Sequence, residues 1–453
     1  MKNANNAHAR ELPSLAARRR SLFWRIHFWA ALIASPFALL AALTGILYIF
    51  TPQVEQVLYA HLDRVQPAGV AHSLDDVVGA ARGAVPAGSL LRFVVPALHA
   101  TDSAKVFFNL PASGAMTMST DEHAAHRGMA MQAKANRAAG MQIVYVNPYT
   151  ASVLGLHADN ERFGAWSKKL HSSLLQGDGW RWMIELAASW LMVMLLTGIY
   201  LWWPRGDQNG LPQKNTQGRS WWSQWHSFVG VALSIMSFVM LTTGLTWSKY
   251  AGDQVRLARD AIGQKSPQAP LDLHSTAIKE KAPMNWQQAA DAARRQTPDI
   301  ALRLVAPRES SGTWRVTNYD QTQPTKRIDL VLDAYSGNAL FRSDWNDQTA
   351  FAKATGIGIP FHRGEFGWWN QLLLLIFGLG ILFSLVSGWT MFFKRRKAGT
   401  SGLPKLLPGA WHATPVAAWI SAAVMCAAMP LLAVSAACVV VLEAVLYVRQ
   451  RRT

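Results

Sequence analysis

Four of the 13 histidines recur in two matched settings. His27 lies 18 residues before Gly45 and His226 lies 18 before Gly244, with Thr44 and Thr243 preceding those glycines. His171 and His362 share another setting, in LHSSLLQGDGWRW and FHRGEFGWWNQ, 27 and 26 residues before Gly198 and Gly388. Neutral imidazole is a good ligand for iron, and a low-spin haem takes one imidazole on each face of its ring. The only cysteines, Cys426 and Cys438, form no CxxCH attachment motif, so any haem is held noncovalently, as haem b. A single histidine at a helix end reads first as an interfacial side chain bonding headgroups or a neighbouring helix. Four in a two-by-two repeat read instead as ligands, because ionisable groups in or beside a bilayer are costly enough to mark function.

The elements that must position these residues are membrane helices. Half of the 453 residues are hydrophobic and only 16% are charged, which suits a mixture of membrane and soluble parts. Runs of about twenty or more apolar residues fall at 24–50, 180–203, 222–248 and 367–393, with a longer stretch at 413–448. Pro430 interrupts that last stretch, which favours two shorter spans in a C-terminal hairpin. The expected fold is an all-α transmembrane bundle of four core helices plus this hairpin, with the large polar segments 53–179 and 250–366 outside it. Cys426 and Cys438 both fall in the hairpin, so no disulfide is expected in the polar segments.

The net charge of +17 is unevenly placed. Residues 1–25, 204–220, 394–405 and 449–453 hold seventeen Lys and Arg against Glu11 and Asp207 alone, whereas 53–179 carries ten basic and ten acidic residues. This is the positive-inside pattern. It places both termini, including the basic segment 1–23, in the cytoplasm and both large segments outside. A nucleic-acid groove is not needed to explain the charge. The apolar run after Arg18, Arg19 and Arg20 is too long for a cleavable signal peptide and stays as the first span.

The unit of helix, outer segment, helix is used twice, which reads as an internal duplication. The helices compared are IHFWAALIASPFALLAALTGILY with WHSFVGVALSIMSFVMLTTGLTW, and those exiting at WWPR and FFKRR. Each outer segment reads as a small α+β domain. The first offers SLDDVVGAARGAV as helix, then strands LRFVVP, KVFFNL and MQIVYVN; the second offers WQQAADAARRQ, then LRLVAP, WRVTNY and RIDLVLD. Their endings, YVNPYTASVLG and LVLDAYSGNAL, match. Within this scheme His27 and His226 share the cytoplasmic level, and His171 and His362 share the outer one. Some fifteen residues at 1.5 Å each separate the levels by roughly 20 Å. Gly45, Gly198, Gly244 and Gly388 admit close approach of a flat macrocycle or simply of another helix.

Other residues are less decisive. His412 opens the fifth span without a repeat partner. His8, His61, His72, His99, His157 and His274 lie in polar stretches and read as solvated. An insertion at 112–141 gathers Met116, Met118, His123, His126, Met129, Met131 and Met141; it suits copper(I) or is a flexible loop of accidental composition. Glu185 pairs with Arg181 or sits near the outer haem, and Glu443 has no visible partner in sequence. Many of the 20 tryptophans come in pairs at span ends, such as Trp202 with Trp203 and Trp368 with Trp369, as in an interfacial aromatic belt.

The pieces RIHFWAALIASPF with LTGILY, LHSSLLQG with LLTGIYLWWPR, WHSFVG with LTTGLTW, and FHRGEFG with SGWTMFFKRR together resemble the PepSY-associated transmembrane proteins, often labelled iron-regulated membrane proteins. The resemblance covers nearly the whole chain. It implies PepSY-like periplasmic domains and a di-haem ferrisiderophore reductase of the bacterial inner membrane. Some members carry a fused cytoplasmic flavin reductase module, which has no counterpart here, so an external cytoplasmic reductant or a quinol is expected to supply electrons. The four ligands expected are His27 with His226 and His171 with His362. Two rival readings remain: a transporter or permease component for iron, another metal or a siderophore, and a non-enzymatic regulator of proteases.

Overall fold

The computed structural model describes residues 13–111, 141–204, 210–400 and 402–452. The Met/His-rich insertion lies outside these residues except for Met141. The chain divides into two compact units: Met1–Ile49, Lys169–Ile262 and Gly367–Thr453 form one, and Phe50–Lys168 with Gly263–Phe366 form the other.

The helices in chain order are α1 (Leu15–Ile49), α2 (Thr51–Leu58), α3 (Ala60–Asp63), α4 (Leu74–Gly83), α5 (Phe163–Ser173), α6 (Trp182–Trp202) and α7 (Gly218–Ala232). They continue with α8 (Ser234–Thr246), α9 (Tyr250–Ala261), α10 (Trp286–Gln296), α11 (Ala350–Arg363), α12 (Trp368–Arg395), α13 (Val416–Ala428) and α14 (Pro430–Arg452). Leu15–Ile49, Asp178–Trp202, Trp368–Arg395 and Pro430–Arg449 are long and apolar enough to cross a membrane. Helices α7 and α8 together make a fifth candidate, broken and bent by 59°. The apolar run 222–248 reads as a single straight span, so the bend is a departure. It occurs at Leu233, whose backbone leaves the helical region (φ −92°, ψ 3°). Its side chain fills the space left by Gly380 of α12, where any Cβ would collide with it.

The first unit packs α1 along α6 and α12, and α7 along α12. The C-terminal stretch breaks at Met429, with Pro430 opening α14 where its missing N–H is harmless. Helix α13 has 13 residues, about 20 Å, short of the roughly 30 Å hydrocarbon core. Helix α14 packs against α6. Glu443 accepts hydrogen bonds from Arg25 Nε (2.7 Å) and Nη2 (2.8 Å), and from Trp29 Nε1. Ser435 Oγ accepts from Trp190 Nε1 at 2.9 Å. Glu443 therefore does have a partner, one too distant in sequence to be seen there.

Glu185 does not pair with Arg181 as one expectation had it. It is 1% exposed, and its carboxylate accepts the backbone N–H groups of Tyr250 (2.9 Å) and Ala251 (2.8 Å) at the start of α9. A carboxylate placed there satisfies orphan donors and complements the helix dipole. Arg181 instead donates to the Trp247 carbonyl at 2.8 Å. Glu185→Ala is expected to lower stability by about 2 kcal/mol, read as a lower thermal midpoint of the detergent-purified chain.

In the second unit, eight antiparallel strands form one sheet in the order β4-β3-β2-β1-β5-β6-β7-β8. They are β1 (Leu90–Val95), β2 (Ala104–Asn109), β3 (Gln142–Val146), β4 (Val153–Ala158), β5 (Leu302–Val305), β6 (Thr313–Asn318), β7 (Ile328–Asp333) and β8 (Ala339–Asp344). The two outer segments thus share one sheet where two separate small domains were expected. Strands β1 and β5 join them through the pair Val94 and Leu304; pairing removes two edges that would otherwise expose backbone donors and acceptors.

Helices α4 and α10 pack against the same core as the alternating residues Val106, Phe108, Leu304 and Leu330. Each starts with a capping box, Ser73 with Asp76 and Asn285 with Gln288. They also cap one another: Asp75 accepts the N–H groups of Trp286 and Gln287, and the Gln287 side chain accepts that of Leu74. Beside this sheet Arg162 pairs with Glu55 and Asp63, each at 3.0 Å, and Lys105 pairs with Asp63 at 2.7 Å. Burial works to raise the Asp63 pKa, but the two cations overcome it and hold the carboxyl below its usual range.

Candidate functional site

Helices α1 and α7 bring His27 and His226 together. Their ring centroids are 6.4 Å apart and their planes are nearly perpendicular, at 89°. Two imidazoles sharing one metal, with metal–nitrogen bonds of about 2.0 Å, have centroids about 6.3 Å apart. The spacing lies within the range of an edge-to-face ring pair and also matches two rings with one metal atom between them. Among the described residues no group of three or more His, Cys, Asp or Glu is clustered as for a metal held by side chains alone. Two facing imidazoles fit a metal that brings its other four ligands with it, as haem iron does.

The neighbouring helices determine which ring nitrogen is available. His27 Nδ1 lies 3.0 Å from Thr197 Oγ1 on α6, and His226 Nδ1 lies 2.9 Å from Ser387 Oγ on α12. Each hydroxyl has one proton, and each donates it backwards along its own helix. Thr197 Oγ1 donates to the Val193 carbonyl at 2.7 Å, and Ser387 Oγ to the Ser384 carbonyl at 3.0 Å. With that proton committed, the hydroxyl accepts from the imidazole, so Nδ1 carries the hydrogen and Nε2 keeps its lone pair. This is the tautomer a metal-binding histidine needs, and an outer hydrogen bond of this kind also raises ligand basicity.

Glycines complete the seats. A Cβ on Gly198 would stand 3.3 Å from His27 Cε1, and one on Gly388 would stand 3.7 Å from His226 Cε1. Each ring therefore rests on a Thr-Gly or Ser-Gly pair of the adjacent helix. The close approach at Gly198 leaves little room for a side chain.

His171 has the same kind of seat. Its Nδ1 lies 3.0 Å from Thr44 Oγ1, which donates to the Leu40 carbonyl at 2.7 Å, and its Cε1 would be 3.3 Å from a Cβ on Gly45. Helices α1 and α6 are thus linked reciprocally: α1 offers His27 to the Thr197 and Gly198 seat, while the chain entering α6 offers His171 to the Thr44 and Gly45 seat. His27 and Thr44 are 17 residues apart on α1, about 25 Å along the axis. His362 lies near the C-terminus of α11, in the second unit, two residues before Gly364, which closes the helix in the left-handed region (φ 74°). His412 is exposed in the loop before α13.

The hydroxyl partners were missed in sequence, although a signal was present. Thr-Gly or Ser-Gly occurs late in each of the four repeated helices, at 44–45, 197–198, 243–244 and 387–388. Reading the glycines as packing or macrocycle contacts left the preceding hydroxyl without a role. Its role appears only when the ring it receives, from another helix, is in place.

A family model described as the PepSY-associated TM region matches residues 24–395. A search of curated proteins finds no match.

Proposed function

Since the chain belongs to the PepSY-associated TM family, we propose that it is a membrane electron-transfer protein that holds two haems b and reduces a ferric siderophore or similar ferric chelate. The observation that carries the reading is the His27 and His226 pair, spaced for one iron and held in the ligating tautomer by Thr197 and Ser387. Bound haem supplies a reversible one-electron iron couple whose potential is tuned by its axial ligands and their hydrogen bonds.

In this reading His27 and His226 hold one haem, and the sequence repeat alone assigns His171 and His362 to the second. Internal duplication gives both levels the same seat, with Thr243 and Gly244 standing where Thr44 and Gly45 stand in the first half. The Arg-rich ends, with both termini, face the cytoplasm of a bacterial inner membrane, and the unit carrying the sheet is periplasmic and PepSY-like. A cytoplasmic reductant or quinol is the donor. One electron delivered to the chelate converts iron(III) to iron(II), which a chelator built for iron(III) binds far more weakly, so iron is released.

Vesicles carrying the protein, with a reductant inside and a ferric hydroxamate plus an iron(II)-specific chromophore outside, are expected to develop the iron(II) colour. Vesicles without protein are expected to stay colourless, and equal colour in both would sink the proposal. The hydroxyl seats make a second prediction. Thr197→Val is expected to weaken haem retention by roughly 10-fold or more, while Thr197→Ser stays near wild type. Haem transfer to an excess of a haem-scavenging apoprotein measures it.

A further inference from the structure

Two guanidinium groups gather beside the His27 and His226 level without a carboxylate to meet them. The Arg395 guanidinium, at the end of α12, is 4.8 Å from the centre of the Trp24 ring and 5.7 Å from that of Phe28. Phe28 follows His27, and Trp24 precedes it by three residues on the same helix face. The cation therefore lies against the part of α1 that carries His27. It donates to the Gly402 carbonyl at 2.5 Å. Arg219, in the first turn of α7, is within electrostatic reach of it. Among the described residues no Asp or Glu forms an ion pair with Arg219 or Arg395, whereas nearby Arg25 is fully engaged by Glu443.

The spacing aims both arginines at one place. Arg219 precedes His226 by seven residues on α7, and Arg395 follows Gly388, the seat of the His226 ring, by seven on α12. Seven residues are close to two helical turns, so each arginine leaves its helix on the face that serves His226. Arg20 precedes His27 by the same seven residues, but it donates to the Leu201 carbonyl at 2.8 Å. Like charges brought together beside aromatic rings repel, and the natural remedy is an anion with planar oxygen pairs that match the guanidinium fork. Haem b carries two such groups, its propionates, along one edge.

We propose that Arg219 and Arg395 form the carboxylate site for the propionate edge of the haem held by His27 and His226, turning that edge toward the Arg-rich end of the bundle. The assignment rests on the two-haem reading above. Two cations at this edge favour the electron-rich iron(II) state, so losing either lowers the reduction potential of this haem and leaves the other unchanged.

The test is a spectroelectrochemical titration of the purified full chain in neutral detergent, with wild type beside Arg219→Gln, Arg395→Gln and Arg395→Lys. Arg396→Gln serves as control, since Arg396 bonds the Thr400 carbonyl outside this cluster. Each glutamine variant at 219 or 395 is expected to shift one haem's reduction equilibrium about tenfold toward iron(III), equivalent to about 59 mV for one electron. The lysine variant and the control are expected to stay near wild type. Potentials unchanged in both variants, or an equal shift in the control, would overturn the site. A shift that appears only after anionic phospholipid is added would also overturn it, by marking the arginines as headgroup anchors. If Arg395→Gln binds no haem, recovery in Arg395→Lys supports the charge assignment, and failure there counts against it. Wild type without two haems would instead refute the reading beneath.

Discussion

Replacing His226 with alanine is expected to remove one of the two haems and leave the other in place. The purified variant should carry half the haem of wild type and retain a b-type reduced spectrum from the remaining centre. The expectation follows from geometry: the His226 ring lies 6.4 Å from that of His27. Ser387 and Gly388 shape the His226 seat but offer no replacement ligand. His27→Ala should give the same result, because the proposal has the two rings serve one iron. His412→Ala should keep both haems, since His412 is exposed in a loop. Loss of both haems from His226→Ala, in a chain that still elutes as a single folded species, would contradict two independent seats.

His362→Ala is expected to separate haem binding from turnover. In the proposed arrangement it removes the outer haem, so iron(II) formation by vesicles should fall to the rate of protein-free vesicles, while the haem proposed at His27 and His226 should still reduce when a donor is added. The reason is that His171 alone, though seated by Thr44 and Gly45, would supply only one of the two axial imidazoles that the proposal requires. The readouts are the chromophore rate and the absorption spectrum of the same vesicles. Undiminished chelate reduction would show that His362 does not serve the outer centre.

Much of the helical framework was legible because apolar length is a local property. The runs at 24–50, 180–203 and 367–393 match Leu15–Ile49, Asp178–Trp202 and Trp368–Arg395, each overrunning its helix by a single residue at one end. That His27 and His226 should meet was legible from their equal spacing to Gly45 and Gly244. What was not legible depends on contacts between distant segments. The bend at Leu233 requires Gly380 opposite it, and nothing in the run 222–248 announces that glycine. Glu185 looks like a misplaced membrane charge until the start of α9 supplies its two N–H donors. Glu443 looks unpaired until α14 lies along α1.

The single sheet illustrates the same limit. Alternation marked the first three strands of each set, whereas β4 and β8, after the turns that close each segment, were not read as strands. The β1 to β5 pairing joins residues more than 200 positions apart, and alternation carries no information about which edges meet. The hydroxyl seats fall between these cases. Their dipeptide signal repeats four times, yet its meaning is tertiary, because each hydroxyl receives a ring carried by another helix.

The central claim is that this chain holds two noncovalent haems b, each between two imidazoles. The most direct measurement is the haem content of the full chain purified after expression with ample haem, by extraction into alkaline pyridine and comparison with protein concentration. The account predicts two haems b per chain, fully extractable into acidified organic solvent. A chain that is folded but haem-free, or that holds its haem through a covalent bond, would contradict it.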